Sequence, residues 1–285
     1  AVFMSQVAIV TDSTAYLPPE YLDRYQIQVI PLQVIWDNET YRDGVDISPT
    51  EFYQRLTASD SLPSTSQPPA AKFHRVFQHL LDRGQDVLAV LISSEISGTV
   101  DSALQACRSL DQDRISIVDS RTAAMATGLH VLAAARAAEQ GAELQECQEV
   151  AHQAQRHTDV VFAVNTLEFL HRGGRIGGAK RLLGSMLDIK PILEMRGGKI
   201  EPLDQVRTRR KAVARLIDIL QERIGDESPV RVAAFHSHVP GLAADMLESA
   251  QNQIDIDETI TAQLSPVIGT HVGPGTLALA AMHGM

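Results

Sequence analysis

Several residue types that build common functional sites are scarce in this sequence, and each scarcity removes a class of function. Only two of its 285 residues are cysteine, Cys107 and Cys147. They are too few for a disulfide framework and lack metal-ligand spacing, so a reducing compartment is expected. Basic residues are outnumbered: 25 Lys and Arg face 35 Asp and Glu, for a net charge of −10. A broad surface for nucleic acid or anionic membrane needs the opposite balance. No apolar run approaches the ~18 residues of a membrane helix. Nor does the N-terminus place a charged segment before an apolar one, so no secretory signal is expected and the cytoplasm is the expected compartment. There is no Walker loop and no G-x-G-x-x-G after a strand, which argues against nucleotide binding. The G-x-S-x-G elbow of serine hydrolases is missing too, although a Ser–His pair assembled from distant segments stays open.

What remains is an ordinary globular composition, 44% hydrophobic and 21% charged, long enough for one large domain or two moderate ones. Residues 87–92, V-L-A-V-L-I, form a continuous apolar run that reads as a strand buried on both faces. The run stops at S-S-E-I-S-G-T (93–99), and helical spacing follows at once through Val100, Ala103, Leu104, Cys107 and Leu110. A loop where a strand feeds a helix is where open α/β sheets bind ligands, and free N–H groups with the helix dipole favour an anion there. Helix capping by Ser97 or Thr99 is the competing reading. Strands at 7–10 and 115–118 end likewise in T-D-S-T and D-S-R-T. The repetition predicts β–α units and a parallel sheet, with Asp12 and Asp119 in mainly structural roles.

Between these units, Pro18 and Pro19 open a helix through Tyr25, and 27–35 reads as one strand. Residues 36–47 are polar and turn-rich, and Ser48-Pro49 opens a helix to Leu56. The stretch L-P-S-T-S-Q-P-P (62–69) reads as an extended loop, stiffened by prolines and presenting Ser64, Thr65 and Ser66. Helices are expected at 123–140 and 144–157. From about residue 160 the pattern changes to short strands and Gly-rich turns. Strands are expected at 160–164, 189–193, 200–206, 230–236, 259–264 and 267–271, with a possible return at 277–281, and helices at 207–224 and 242–250. The predicted fold class is therefore α/β, in two domains: a parallel-sheet N-terminal domain over 1–158, carrying the hydroxyl-rich loops, and a smaller α/β C-terminal domain over 159–285.

The hydroxyl loops, the Arg172–Arg175 loop, and His271 beside a Gly-Pro-Gly turn together suit a carboxylate or phosphate head group. Metal is not expected. His236 and His238 share a strand face but have no acidic or cysteine partner nearby, and His152 and His157 do not share a helix face well.

The motifs V-T-D-S-T, P-S-T-S-Q-P, S-S-E-I-S-G-T, V-D-S-R-T-A-A, R-G-G-R-I and G-T-H-V-G-P-G occur in this order across essentially the whole chain. Each alone is weak, but the ordered series resembles the DegV family of bacterial fatty-acid-binding proteins. That resemblance implies a non-enzymatic carrier holding one long-chain fatty acid, such as palmitate, between its two domains, with no cofactor. It also implies a role as the binding subunit of fatty acid kinase, partnered by a kinase similar to dihydroxyacetone kinase. By motif, Thr65 and Ser97 would hydrogen-bond the carboxylate and Ser94 and Ser66 would assist. Arg172 and His271 would border the head group, and Arg207 and Arg209 would face the kinase. Competing readings are a serine-dependent acyl hydrolase or acyltransferase, and a structural module whose hydroxyl loops only cap helices.

Overall fold

A computed structural model describes residues 6–184 and 189–285. Its first half contains strands β1 (Val7–Asp12), β2 (Gln28–Ile30), β3 (Gln33–Trp36), β4 (Glu39–Arg42), β5 (Ser64–Ser66), β6 (Asp86–Leu91) and β7 (Ile115–Asp119), with helices between all but β2, β3 and β4. Four of them make a parallel sheet in the order β2-β1-β6-β7, and β4-β3-β5 make a small antiparallel one. The second half contributes β8 (Thr158–Ala163), β9 (Lys190–Arg196), β10 (Lys199–Val206), β11 (Val230–His236), β12 (Glu258–Gln263) and β13 (Leu277–His283). These form a mixed sheet in the order β10-β9-β8-β13-β11-β12, parallel only between β11 and β12. The class is the α/β fold that the sequence predicts.

Alternation along the strands assigns the layers, because successive side chains point to opposite faces. On β6, Leu88 and Val90 face one core while Val87, Ala89 and Leu91 face another with Phe73 and Phe77. On β8 and β13, Val160, Phe162, Ala278 and Ala280 face the same core as Leu88; Val161 and Leu279 face helices Arg209–Ile224 and Pro240–Gln251. The two large sheets therefore share a layer. That layer is centred on helix Ala124–Glu139, which touches β1 and β6 on one side and β8, β11 and β13 on the other. Thirteen of its sixteen residues are buried. A helix apolar all round belongs inside a protein, and six alanines among the buried positions keep it thin enough for two sheets to close on it. His130, on this helix, has no hydrogen-bond partner for either ring nitrogen among the described residues, and burial pushes its pKa down to about 3.

Three expectations need correction. The span 27–35 is two strands, not one: β2 joins the parallel sheet and β3 the antiparallel one. The polar span 36–47 contains β4, returned by a two-residue turn in which Asp37 and Asn38 both adopt positive φ, 51° and 66°. Such a turn matches strand twist, and Asp and Asn tolerate it. Lastly, 267–271 lies in a helix, Pro266–Val272, rather than a strand. Ser265 caps it by accepting from the Ile268 N–H, Pro266 sits in its first turn, and Gly273 ends it at φ 74°. Five residues, V-I-G-T-H, are too few to show a period, so the caps decide.

If the central helix sets the spacing of the sheets, Ala134→Leu overpacks that layer. We expect a loss of about 1–3 kcal/mol, read as a lower urea midpoint with unchanged far-UV circular dichroism.

Candidate functional site

The cavity of interest opens where the parallel sheet ends. Asp12, buried at the end of β1, accepts from the Ile92 N–H at 2.7 Å and the Thr14 N–H at 2.9 Å. It thus ties the ends of β1 and β6 and starts the loop 93–98 in a fixed place. The second half closes over that loop. Ser93 Oγ donates to the Gly198 carbonyl at 2.8 Å, and Arg175 Nε donates to the Ile96 carbonyl at 3.0 Å. Glu95 pairs with Lys199 at 3.1 Å and Arg121 at 3.3 Å, so its carboxylate turns away from the cavity. Those two cations hold it below the usual carboxylate range, Lys199 more strongly.

Thr65 and His271 are brought together by a strand and a helix far apart in sequence. Thr65 lies opposite Val34 in the β3–β5 ladder, and Val34 shares a core with Val267 of helix Pro266–Val272. His271 is four residues beyond Val267, on the same helix face. Thr65 Oγ1 and His271 Nε2 meet at 2.8 Å.

The cavity has an empty volume of about 820 Å³, counting space open to solvent at its mouth. Thr65, Ser66, Gln67, Ser97, Arg175 and His271 line it together with Thr276; the rest is apolar, including Phe162, Leu170, Met195, Ile200, Phe235 and Ala278. Burial, reinforced by Arg175, pushes the His271 pKa down to about 4, so the ring is neutral near pH 7. With the proton on Nε2, the ring donates to Thr65 and leaves the threonine's own proton free for a guest. Nδ1 has no hydrogen-bond partner among the described residues. Ser97 Oγ pairs with Thr99 Oγ1 at 2.8 Å and also accepts from the Thr99 N–H at 3.3 Å. Neutral donors, one guanidinium and a long apolar wall can receive an amphiphile with a small acidic head.

Of the residues predicted from sequence, Thr65, Ser66, Ser97 and His271 line this cavity. Ser94 does not; its hydroxyl donates to Asp119 at 2.5 Å on the outer side of the loop. Arg172 does not either, being exposed and paired with Glu168 at 2.8 Å. It ends helix Glu168–Arg172, and the turn that follows brings Arg175 inward instead. Arg207 is exposed, whereas Arg209 is half-buried and donates to Asn165 Oδ1 at 3.1 Å. Gly173 is a residue the sequence reading missed. A Cβ on it would lie 2.2 Å from His271 Nδ1, so this glycine serves close approach, while Gly174, at φ 70°, makes the turn.

Asp43 anchors the helix that carries His271. It accepts from Ser13 Oγ at 2.7 Å and from the Val267 N–H at 3.3 Å, and the same Ser13 oxygen accepts from the Leu32 N–H at 3.0 Å. Burial pushes its carboxyl up to about 7, against the pull of Ser13, Ser265 and Val267.

Comparison with known proteins agrees with this architecture. A family model described as uncharacterised proteins of the DegV family matches residues 6–283. A DegV domain-containing protein of Streptomyces coelicolor is 38% identical over 275 residues, covering 96% of this chain and 97% of that one. Among solved structures, a DegV family protein from Thermus thermophilus, described for its fatty acid binding, superposes with a TM-score of 0.91 at 33% identity, covering 97% of this chain and 99% of the other. A stearic-acid-binding protein from Eubacterium ventriosum gives 0.89 at 26% identity, with 98% of both chains covered.

Two expectations follow from the geometry. Gly173→Ala drives a methyl into His271 and destabilises the protein by about 1–3 kcal/mol of overpacking strain; a lower urea midpoint measures it. Asp43 holds its proton in the folded state up to about pH 7, whereas the unfolded chain loses it near the ordinary value of 3.8. Its contribution to stability therefore falls as pH rises from about 4 through 7. Thermal melts of the protein and of Asp43→Asn between pH 5 and 8 should show a difference that shifts steadily in favour of the variant.

Proposed function

We propose that this chain, which belongs to the DegV family, binds one long-chain fatty acid in the cavity between its two halves and presents the carboxylate to a separate kinase. It acts as a non-enzymatic carrier without a cofactor, in the cytoplasm, within a two-domain layout divided near residues 158 and 159. The partner would be a kinase similar to dihydroxyacetone kinase, which phosphorylates the head group while the carrier holds the chain. The observation that carries this reading is the sorting of the cavity wall, with hydroxyls, the Gln67 amide, a neutral imidazole and one guanidinium among an otherwise apolar lining. Relatives described as fatty-acid-binding proteins support it. Among the described residues no helix is long and apolar enough to cross a membrane.

The energetics suit such a carrier. A sixteen-carbon chain gains roughly 10 kcal/mol at ~0.8 kcal/mol per buried methylene. The polar groups then need only orient the head and offset its desolvation. Thr65 and Ser97 would donate to the carboxylate, Ser66 and Arg175 would border it, and His271 would hold the Thr65 hydroxyl in its donor orientation. Arg207 and Arg209 would meet the kinase. A serine-dependent hydrolase needs a serine paired with His271, but the imidazole pairs with Thr65 and the Ser97 hydroxyl pairs with Thr99.

Native mass spectrometry of the purified protein, followed by denaturing extraction, should reveal one bound fatty acid per chain. Thr65→Val and Ser97→Ala should each weaken retention roughly 10- to 100-fold, the ~1.5–3 kcal/mol of a hydrogen bond to a charged group. Arg207→Ala and Arg209→Ala should spare retention but slow acyl phosphate formation by the kinase. A chain that is empty and fails to take up palmitate or oleate overturns the reading.

A further inference from the structure

The strands that line the cavity end, on the far side of the mixed sheet, in a second constellation. Among the described residues, His157, Glu227 and His283 each bring a ligand-type atom within 4.8 Å of the others. They come from three places in the chain. His157 follows helix Leu144–Arg156, Glu227 lies just past helix Arg209–Ile224, and His283 ends β13. Glu227 Oε2 is 2.6 Å from His283 Nδ1 and 3.9 Å from His157 Nδ1. We propose that these three side chains form a zinc site, with a water completing the coordination.

The donor set is the first argument. Two imidazoles and one carboxylate make a nitrogen-rich set that suits zinc and other late first-row divalent ions rather than magnesium or calcium. Zinc bonds of ~2.0–2.2 Å place tetrahedral donors about 3.4 Å apart, and the distances here lie on both sides of that value. His157 is partly buried and Glu227 exposed while His283 is buried, so the two outer side chains have room to close on an ion held by the inner one.

The surroundings of His283 are the second and stronger argument. An imidazole that binds metal through Nδ1 must carry its proton on Nε2, and metal-binding histidines donate that proton to a carboxylate or carbonyl. His283 Nε2 lies 3.2 Å from Asp159 Oδ2, and Asp159 is held by Arg223 at 2.8 Å. Asp159 is thus placed to hold the ring orientation and to accept the Nε2 proton once Nδ1 binds an ion. His157 Nδ1 lies 3.0 Å from the His283 carbonyl, so coordination through that atom exchanges one hydrogen bond for a metal bond. Five residues along β13, roughly 16 Å at ~3.3 Å per residue, separate His283 from Ala278 in the cavity wall. Zinc would therefore fasten the last strand to residues 157 and 227 without touching the guest.

The test uses the full chain, stripped with EDTA and titrated with zinc chloride against a chromogenic chelator. One equivalent should bind and raise the melting temperature. His157→Ala and Glu227→Gln should each weaken zinc binding at least tenfold, and Asp159→Asn about 10- to 100-fold. All three variants should still take up palmitate, which distinguishes a lost ligand from a lost fold. Absence of one-to-one binding, or affinity unchanged in both His157→Ala and Glu227→Gln, overturns the proposal.

Discussion

The structure depends on one packing constraint: a helix narrow enough, and apolar enough all round, to be covered by a sheet on each side. Helix Ala124–Glu139 meets it with alanines where a typical helix carries leucines. Because both large sheets close on the same layer, β1 and β6 of one half and β8, β11 and β13 of the other all lie against this helix. The cavity is the part of this shared layer that lies beyond the helix N-terminus. Ala123 and Ala124 line it, where bulkier residues would fill it.

Polar groups around the cavity do two separate jobs. Asp12, Asp43, Ser93 and Glu95 spend their hydrogen bonds and charges on protein partners, fixing loops and the His271 helix. Thr65, Ser97 and Arg175 face the interior. The division follows from desolvation. A buried acid such as Asp43 is tolerable only with several donors around it, while a hydroxyl can sit on an apolar wall at small cost and still orient a guest. Holding His271 neutral belongs to the same logic, since a permanent buried cation would need a permanent buried anion.

Motif reading named four of the residues that line the cavity, Thr65, Ser66, Ser97 and His271, and missed others at definite points. R-G-G-R marked the correct loop, but which arginine turns inward depends on where helix Glu168–Arg172 stops and on the turn at Gly174. Consecutive serines marked the loop at 93–98, yet Ser94 and Ser97 point to different sides of it. The signals for helix Pro266–Val272 were present as Ser-Pro before the run and Gly after it, the same start that was read correctly at Ser48-Pro49. The β-branched pair Val267-Ile268 favours a strand locally, and only the caps oppose it.

Local chemistry written in the chain was enough to determine the α/β class, the parallel β–α units, most helix limits, and the hydroxyl and glycine-rich segments that border a site. Periodicity, caps and turn residues act within a few positions, so they can be read without a partner. The meeting of Thr65 with His271, 206 positions apart, the inward turn of Arg175, the contact of Gly173 with an imidazole, and the gathering of His157, Glu227 and His283 were decided by tertiary structure alone. Each depends on sheet order and on two sheets closing over one helix, and neither leaves a mark at the spacing of neighbouring residues.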